Sequence, residues 1–245
     1  MRCSDGKLYV VKFLNNPQHS RVLANEILAT GLAEFAGLPV SHMALVQVDA
    51  LLIEQTPELT MSLMDKNFPC QSGLQFGSEY AVNPLDGRIF DDFPTEQLSR
   101  VRNLADFAGM LAFDKWTGNV DNRQATFWRK GRQKKYTATF IDQGHCFNLG
   151  EWTFPDKPLR GCYRKNEVYL GVRGWQSFEP WLSRIETMDD PSMRVLGGWI
   201  PLEWSIGMRD LSCLLETLHN RRCIVRDLIN SFRFSCSNPF PNWHD

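Results

Sequence analysis

Two aspartates, Asp121 and Asp142, carry the clearest chemical signal in the sequence. The first lies in Phe113-Asp114-Lys115-Trp116-Thr117-Gly118-Asn119-Val120-Asp121-Asn122-Arg123-Gln124, where two acids, two Asn, an Arg and a Gln crowd eleven positions. The second ends an apolar run, in Phe140-Ile141-Asp142-Gln143-Gly144, followed by a glycine that permits a sharp turn. Taken alone, the first segment could be an Asx-rich turn that satisfies its own backbone. A loop Asp can also accept or orient a hydroxyl proton. A carboxylate at a strand tip suits a hard cation such as Mg²⁺. One hairpin between the two segments would return both carboxylates to the same edge, which is the arrangement phosphoryl transfer needs.

A cation for phosphates is available upstream. Lys12 sits in Val10-Val11-Lys12-Phe13, so part of its stem is expected to be buried and its charge to need a partner. Glu26, fourteen residues on, follows Ala24-Asn25 within a helical pattern. An edge-strand lysine facing solvent and an exposed helical glutamate are the ordinary readings of each alone. The pair gains meaning from Asp121 and Asp142. His145 reads as a turn histidine, and Asp114 as an anchor for Arg123.

The elements that must hold these groups follow from local pattern. Asp5-Gly6 marks a turn before a strand over 8–14, which Asn15-Asn16-Pro17 breaks. Leu28, Leu32 and Phe35 predict a helix from about Ser20 to Ala36, stopped by Gly37 and Pro39. Strands are expected over 40–48, 50–55 and 73–81. A polar connection around 83–94 then precedes a helix capped by Thr95 and running to about Phe113. Strands over 125–129 and 136–141 flank the basic run 129–135, a solvated turn. The end of the chain is helical, with one stripe formed by Leu211, Leu214, Leu215, Leu218, Val225, Leu228, Ile229 and Phe232. Strands and helices are segregated, which argues an α+β fold of two lobes, strand-rich over 1–90 and mainly helical over 91–245.

Composition narrows the function classes. Lys plus Arg number 27 against 28 for Asp plus Glu, so no basic field invites nucleic acid or an anionic membrane. Seven cysteines without a CxxC pair suggest no zinc module, and Cys213 and Cys223 read as small buried hydrophobes on helix faces. No apolar run approaches membrane-spanning length, so a reduced, cytoplasmic protein is expected.

The quoted segments, together with Gly37-Leu38-Pro39-Val40 and Phe76-Gly77-Ser78, resemble the HipA-like kinases over about residues 8–150, and more distantly the phosphatidylinositol kinases. The resemblance implies a two-lobed protein-kinase-like fold, with ATP and Mg²⁺ as cofactors and transfer to a protein Ser/Thr hydroxyl, or to a small hydroxyl substrate, as activity. By the same resemblance Lys12 contacts phosphates, Glu26 holds Lys12, Asp121 is the catalytic Asp and Asp142 binds metal. The family's second metal ligand, an Asn five residues after the catalytic Asp, is replaced by Thr126, and Gln124 is the candidate substitute. No Gly-rich phosphate loop is visible ahead of Lys12, so the first lobe is expected to be shortened there. The competing reading is a degenerate pseudokinase that binds nucleotide or protein without turnover. A lipid-head-group kinase would call for a membrane-facing patch that only 129–135 approaches.

Overall fold

The computed structural model describes residues 1–16, 18–63 and 66–244, so Pro17 of the expected strand break lies outside the described residues. The first turn folds back as the Asp5-Gly6 signal predicts, with an antiparallel bridge between Arg2 and Leu8. Strand β1 (Tyr9–Lys12) follows, then helix α1 (Val22–Phe35), β2 (Met43–Val48), α2 (Ala50–Gln55), β3 (Thr60–Leu63), β4 (Lys66–Pro69) and β5 (Gly73–Glu79). Strand β5 is central, antiparallel to β1 on one side and β2 on the other. Strands β3 and β4 form a separate antiparallel pair.

Residues Val22 to Ala33 of α1 are all buried, Asn25 and Glu26 included, as befits a helix covered on every side. It ends in a Schellman turn. Gly37 N–H donates to Glu34 O and Leu38 N–H to Ala33 O, with Gly37 at a φ of 78° that favours glycine.

The expected strand over 50–55 is a helix. The Asp49 carboxylate accepts from Leu51 N–H and caps α2, and none of the six helical residues is buried. The expected helix from Thr95 is also revised. Residues 95–100 form a 3-10 stretch, and Val101 is extended and bridges Tyr136. The regular helix α3 begins at Asp106 and ends at Thr117, with Gly118 left-handed at its end.

Beyond the first sheet, strand β6 (Gly87–Phe90) pairs with β7 (Gln124–Lys130), which pairs with β8 (Thr137–Ile141). Residues 131–135 form the exposed connection between β7 and β8. Helices α4 (Trp181–Thr187), α5 (Asp190–Gly197), α6 (Met208–Arg221) and α7 (Val225–Arg233) complete the chain. Helices α4, α6 and α7 pack around α3, which is buried from Phe107 to Thr117, while α5 packs against α1 and α6. The C-terminal stripe is split between α6 and α7 by a 3-10 turn, and Leu214, Leu215, Leu218, Val225, Ile229 and Phe232 are buried. Cys213 and Cys223 are exposed, contrary to expectation. Cys213 falls on the face of α6 opposite the leucines, and Cys223 lies in the 3-10 turn. No helix among the described residues is long and apolar enough to cross a membrane.

Candidate functional site

Lys12, Glu26 and Asp142 meet. Lys12 Nζ donates to Glu26 Oε1 and, at 2.6 Å, to Asp142 Oδ1. The strand β1 supplies the lysine, the buried face of α1 the glutamate, and the residue just past β8 the aspartate. Glu26 does more than hold the lysine. Its Oε2 accepts from Gln143 N–H at 3.0 Å and its Oε1 from Gly144 N–H at 2.8 Å. Gly144 has to be a glycine, because a Cβ there would stand 2.8 Å from Val22 Cγ1 and 3.0 Å from Glu26 Oε1. The left-handed turn itself falls on Asp142, at a φ of 62°, a conformation that Asp tolerates better than most side chains.

Asn25, quoted in the sequence only as part of a motif, is a structural partner of this segment. Its amide donates to the carbonyls of Gly144, Cys146 and Leu149, at 2.9, 3.1 and 2.6 Å, and its oxygen accepts from Trp152 Nε1. The signal was an Asn–Glu pair inside an otherwise apolar helix, where a buried amide must find partners.

The electrostatics follow from this packing. Burial acts against the Lys12 charge, but the Glu26 and Asp142 carboxylates outweigh it and hold its pKa above the ordinary value. Burial would raise Asp142 too, yet Lys12 overcomes it and keeps the carboxyl below its usual range. Complete burial pushes Glu26 up, against the pull of Lys12.

The expected anchor between Asp114 and Arg123 is present. Arg123 Nε and Nη2 donate to the two Asp114 oxygens at 3.0 and 2.5 Å, and Nη1 donates to Ile141 O and Asp142 O at 2.9 and 3.2 Å. Asn119 Nδ2 joins the same carboxylate at 2.9 Å, and Asn119 Oδ1 accepts from Asp121 N–H at 3.1 Å. One buried ion pair therefore sets the backbone of Asp142 and, through Asn119, that of Asp121. Asp121 Oδ1 accepts from Asn122 N–H at 2.8 Å, and its Oδ2 stands 3.8 Å from His145 Nδ1.

A cleft of about 780 Å³ runs past these groups. Val10, Tyr80, Ala81, Ile89 and Ile141 line it, together with Lys12, Asp121, Gln124 and Asp142. An apolar wall beside a few convergent polar groups suits a small cofactor. Gln124 Nε2 lies 2.9 Å from Asp142 Oδ2, so a turn of that amide would bring a neutral oxygen beside the carboxylate. Thr126, on β7, is buried, and its hydroxyl has no hydrogen-bond partner among the described residues. Among the described residues no group of three or more His, Cys, Asp or Glu converges on one point. The residues fit a hard cation that shares its oxygens with a polyphosphate, since such a cation needs one or two protein carboxylates.

A sequence model of the HipA-like kinase family matches residues 1–133, more than half of the chain. The chain belongs to the HipA-like kinase family. No curated protein matches this HipA-like kinase. Among solved structures it is similar to the Helicobacter pylori proinflammatory kinase CtkA. The identity is 14%, with a TM-score of 0.61 over 94% of this chain and 88% of that one. It is also similar to the Golgi casein kinase with Mn and ADP bound, at 10% identity and a TM-score of 0.53, covering 96% and 70% of the two chains. Likeness at such identity speaks to fold, and the fold is protein-kinase-like. Family and fold together support phosphotransfer of the kinase type.

Proposed function

We propose that this HipA-like kinase transfers the terminal phosphoryl group of ATP to a Ser or Thr hydroxyl of a protein. The observation that carries this is the convergence of Lys12, Glu26 and Asp142 in the cleft that Asp121 also lines. The Mn and ADP held by the Golgi casein kinase support a nucleotide with a divalent cation here as well. In this reading the apolar residues of the cleft take the base. Lys12 meets the phosphates, held in place by Glu26, while Asp142 and Gln124 hold the cation and Asp121 takes the proton of the acceptor. When bound, Mg²⁺ offsets charge on the phosphate oxygens. Residues 1–90 and 91–245 act as the two lobes, with β6 reaching across to pair with β7.

Calorimetry with ATP, with and without Mg²⁺, tests the proposal on wild type and Asp142→Ala. Wild type is expected to bind ATP with Mg²⁺ enhancement, and Asp142→Ala to lose that enhancement. Absence of wild-type binding at millimolar ATP sinks the enzyme reading.

A second reading is a pseudokinase that binds nucleotide without turnover. Thr126 favours it, since a hydroxyl without a partner among the described residues replaces the amide expected to bind metal. Nucleotide binding without phosphate transfer to any protein acceptor, or to the chain itself, is its signature.

A further inference from the structure

His145 stands opposite Asp121 for a reason the loop geometry makes plain. Val120 N–H donates to His145 O at 3.2 Å, which fixes the histidine backbone against the loop that carries Asp121. One Asp121 oxygen is already taken by Asn122 N–H, and the other faces His145 Nδ1 at 3.8 Å. That separation is too wide for a direct hydrogen bond. It matches two groups that share a third. An oxygen at about 2.8 Å from both would complete two hydrogen bonds at once, subtending an angle of about 85° at that oxygen.

The gap also lies where substrates can meet. Asp121 lines the cleft already described, while His145 lines a second opening of about 470 Å³ beside Thr60, Met61 and Cys70. Lys12 and Asp142 line both, so the two openings flank the same pair of side chains.

We propose that Asp121 Oδ2 and His145 Nδ1 form a two-point seat for the acceptor hydroxyl. This rests on the kinase reading above. The hydroxyl donates its proton to Asp121 and accepts the His145 N–H on one lone pair, leaving the other aimed at the terminal phosphorus. The acceptor oxygen then forms the new P–O bond, and the bond from that phosphorus to the bridging oxygen breaks. ADP departs with the electron pair and Asp121 keeps the hydroxyl proton. His145 begins and ends with the same proton, so its part is to orient the oxygen, a contribution of about tenfold to a hundredfold.

Transfer of labelled phosphate from ATP to dephosphorylated casein, with Mg²⁺, tests this. His145→Ala and His145→Gln should lower kcat about tenfold or more, with the KM and the calorimetric affinity for ATP unchanged. His145→Asn, whose amide N–H reaches the Nδ1 position, should recover most of the loss. Wild-type kcat in His145→Ala overturns the seat, as do equal losses in all three variants or a loss of ATP affinity alongside kcat. Wild-type protein that neither binds ATP nor transfers phosphate overturns the kinase reading and the seat with it.

Discussion

Asp114 grips the Arg123 guanidinium with both carboxylate oxygens, and neither side chain is more than 1% exposed. A charge pair so placed needs further hydrogen bonds to offset its desolvation, and Arg123 Nη1 makes two, to the carbonyls of Ile141 and Asp142. Asp114→Asn leaves the Arg123 charge short of its counter-ion. It should cost about 3–5 kcal/mol in denaturant unfolding and lower phosphate transfer by displacing both loops.

Asp121→Asn keeps the shape of the loop and removes the acceptor for the hydroxyl proton. Phosphate transfer should fall about a hundredfold to ten-thousandfold while calorimetric ATP affinity is unchanged. Asp142→Ala should be at least as damaging, about a thousandfold or more, and should also remove the Mg²⁺ dependence of binding.

Lys115 gives a pH signature independent of activity. It is buried, with Nζ donating to Pro158 O and Arg160 O, and burial lowers its pKa to about 8. Between about 8 and the unfolded value of 10.5, the unfolded chain holds a proton that the folded chain does not. Stability from this group therefore rises with pH across that window, by about 3 kcal/mol, and is level below it. Urea unfolding of wild type and Lys115→Met at matched pH should show that slope in the difference. A difference independent of pH from 7 to 11 refutes it.

Asn25→Ala strands three carbonyls and the Trp152 indole N–H. A loss of about 3 kcal/mol is expected, with limited proteolysis newly cutting within 144–152.

The geometry of the candidate site was largely legible because it depends on spacing. Asp121 and Asp142 flank a hairpin that pattern alone predicts, and Lys12 and Glu26 lie on elements with strong local signals. Short pieces were not legible. Ala50 to Gln55 is apolar enough for either state, and the cap supplied by Asp49 decided it. Gly87 to Phe90 becomes a strand through pairing with β7, a partner some forty residues away. Spacing suited to a helix from Thr95 is met by a 3-10 stretch because Arg102 N–H donates to Tyr136 O and Arg100 O accepts from Tyr136 N–H instead, leaving Val101 extended. The approach of His145 to Asp121 depends on one loop carbonyl, and no sequence pattern encodes it.

The way α1 is tied down bears on how such an enzyme can be switched. Asn25 and Glu26, adjacent on that helix, hold five backbone groups between Gln143 and Leu149. Rotating the helix outward would break all five at once, at about 1 kcal/mol each, and the swung-out form would be about one molecule in several thousand. Control by helix displacement would therefore need an effector that favours the swung-out form by about 5 kcal/mol. Access to the two openings beside Lys12 can vary without breaking any of these five bonds.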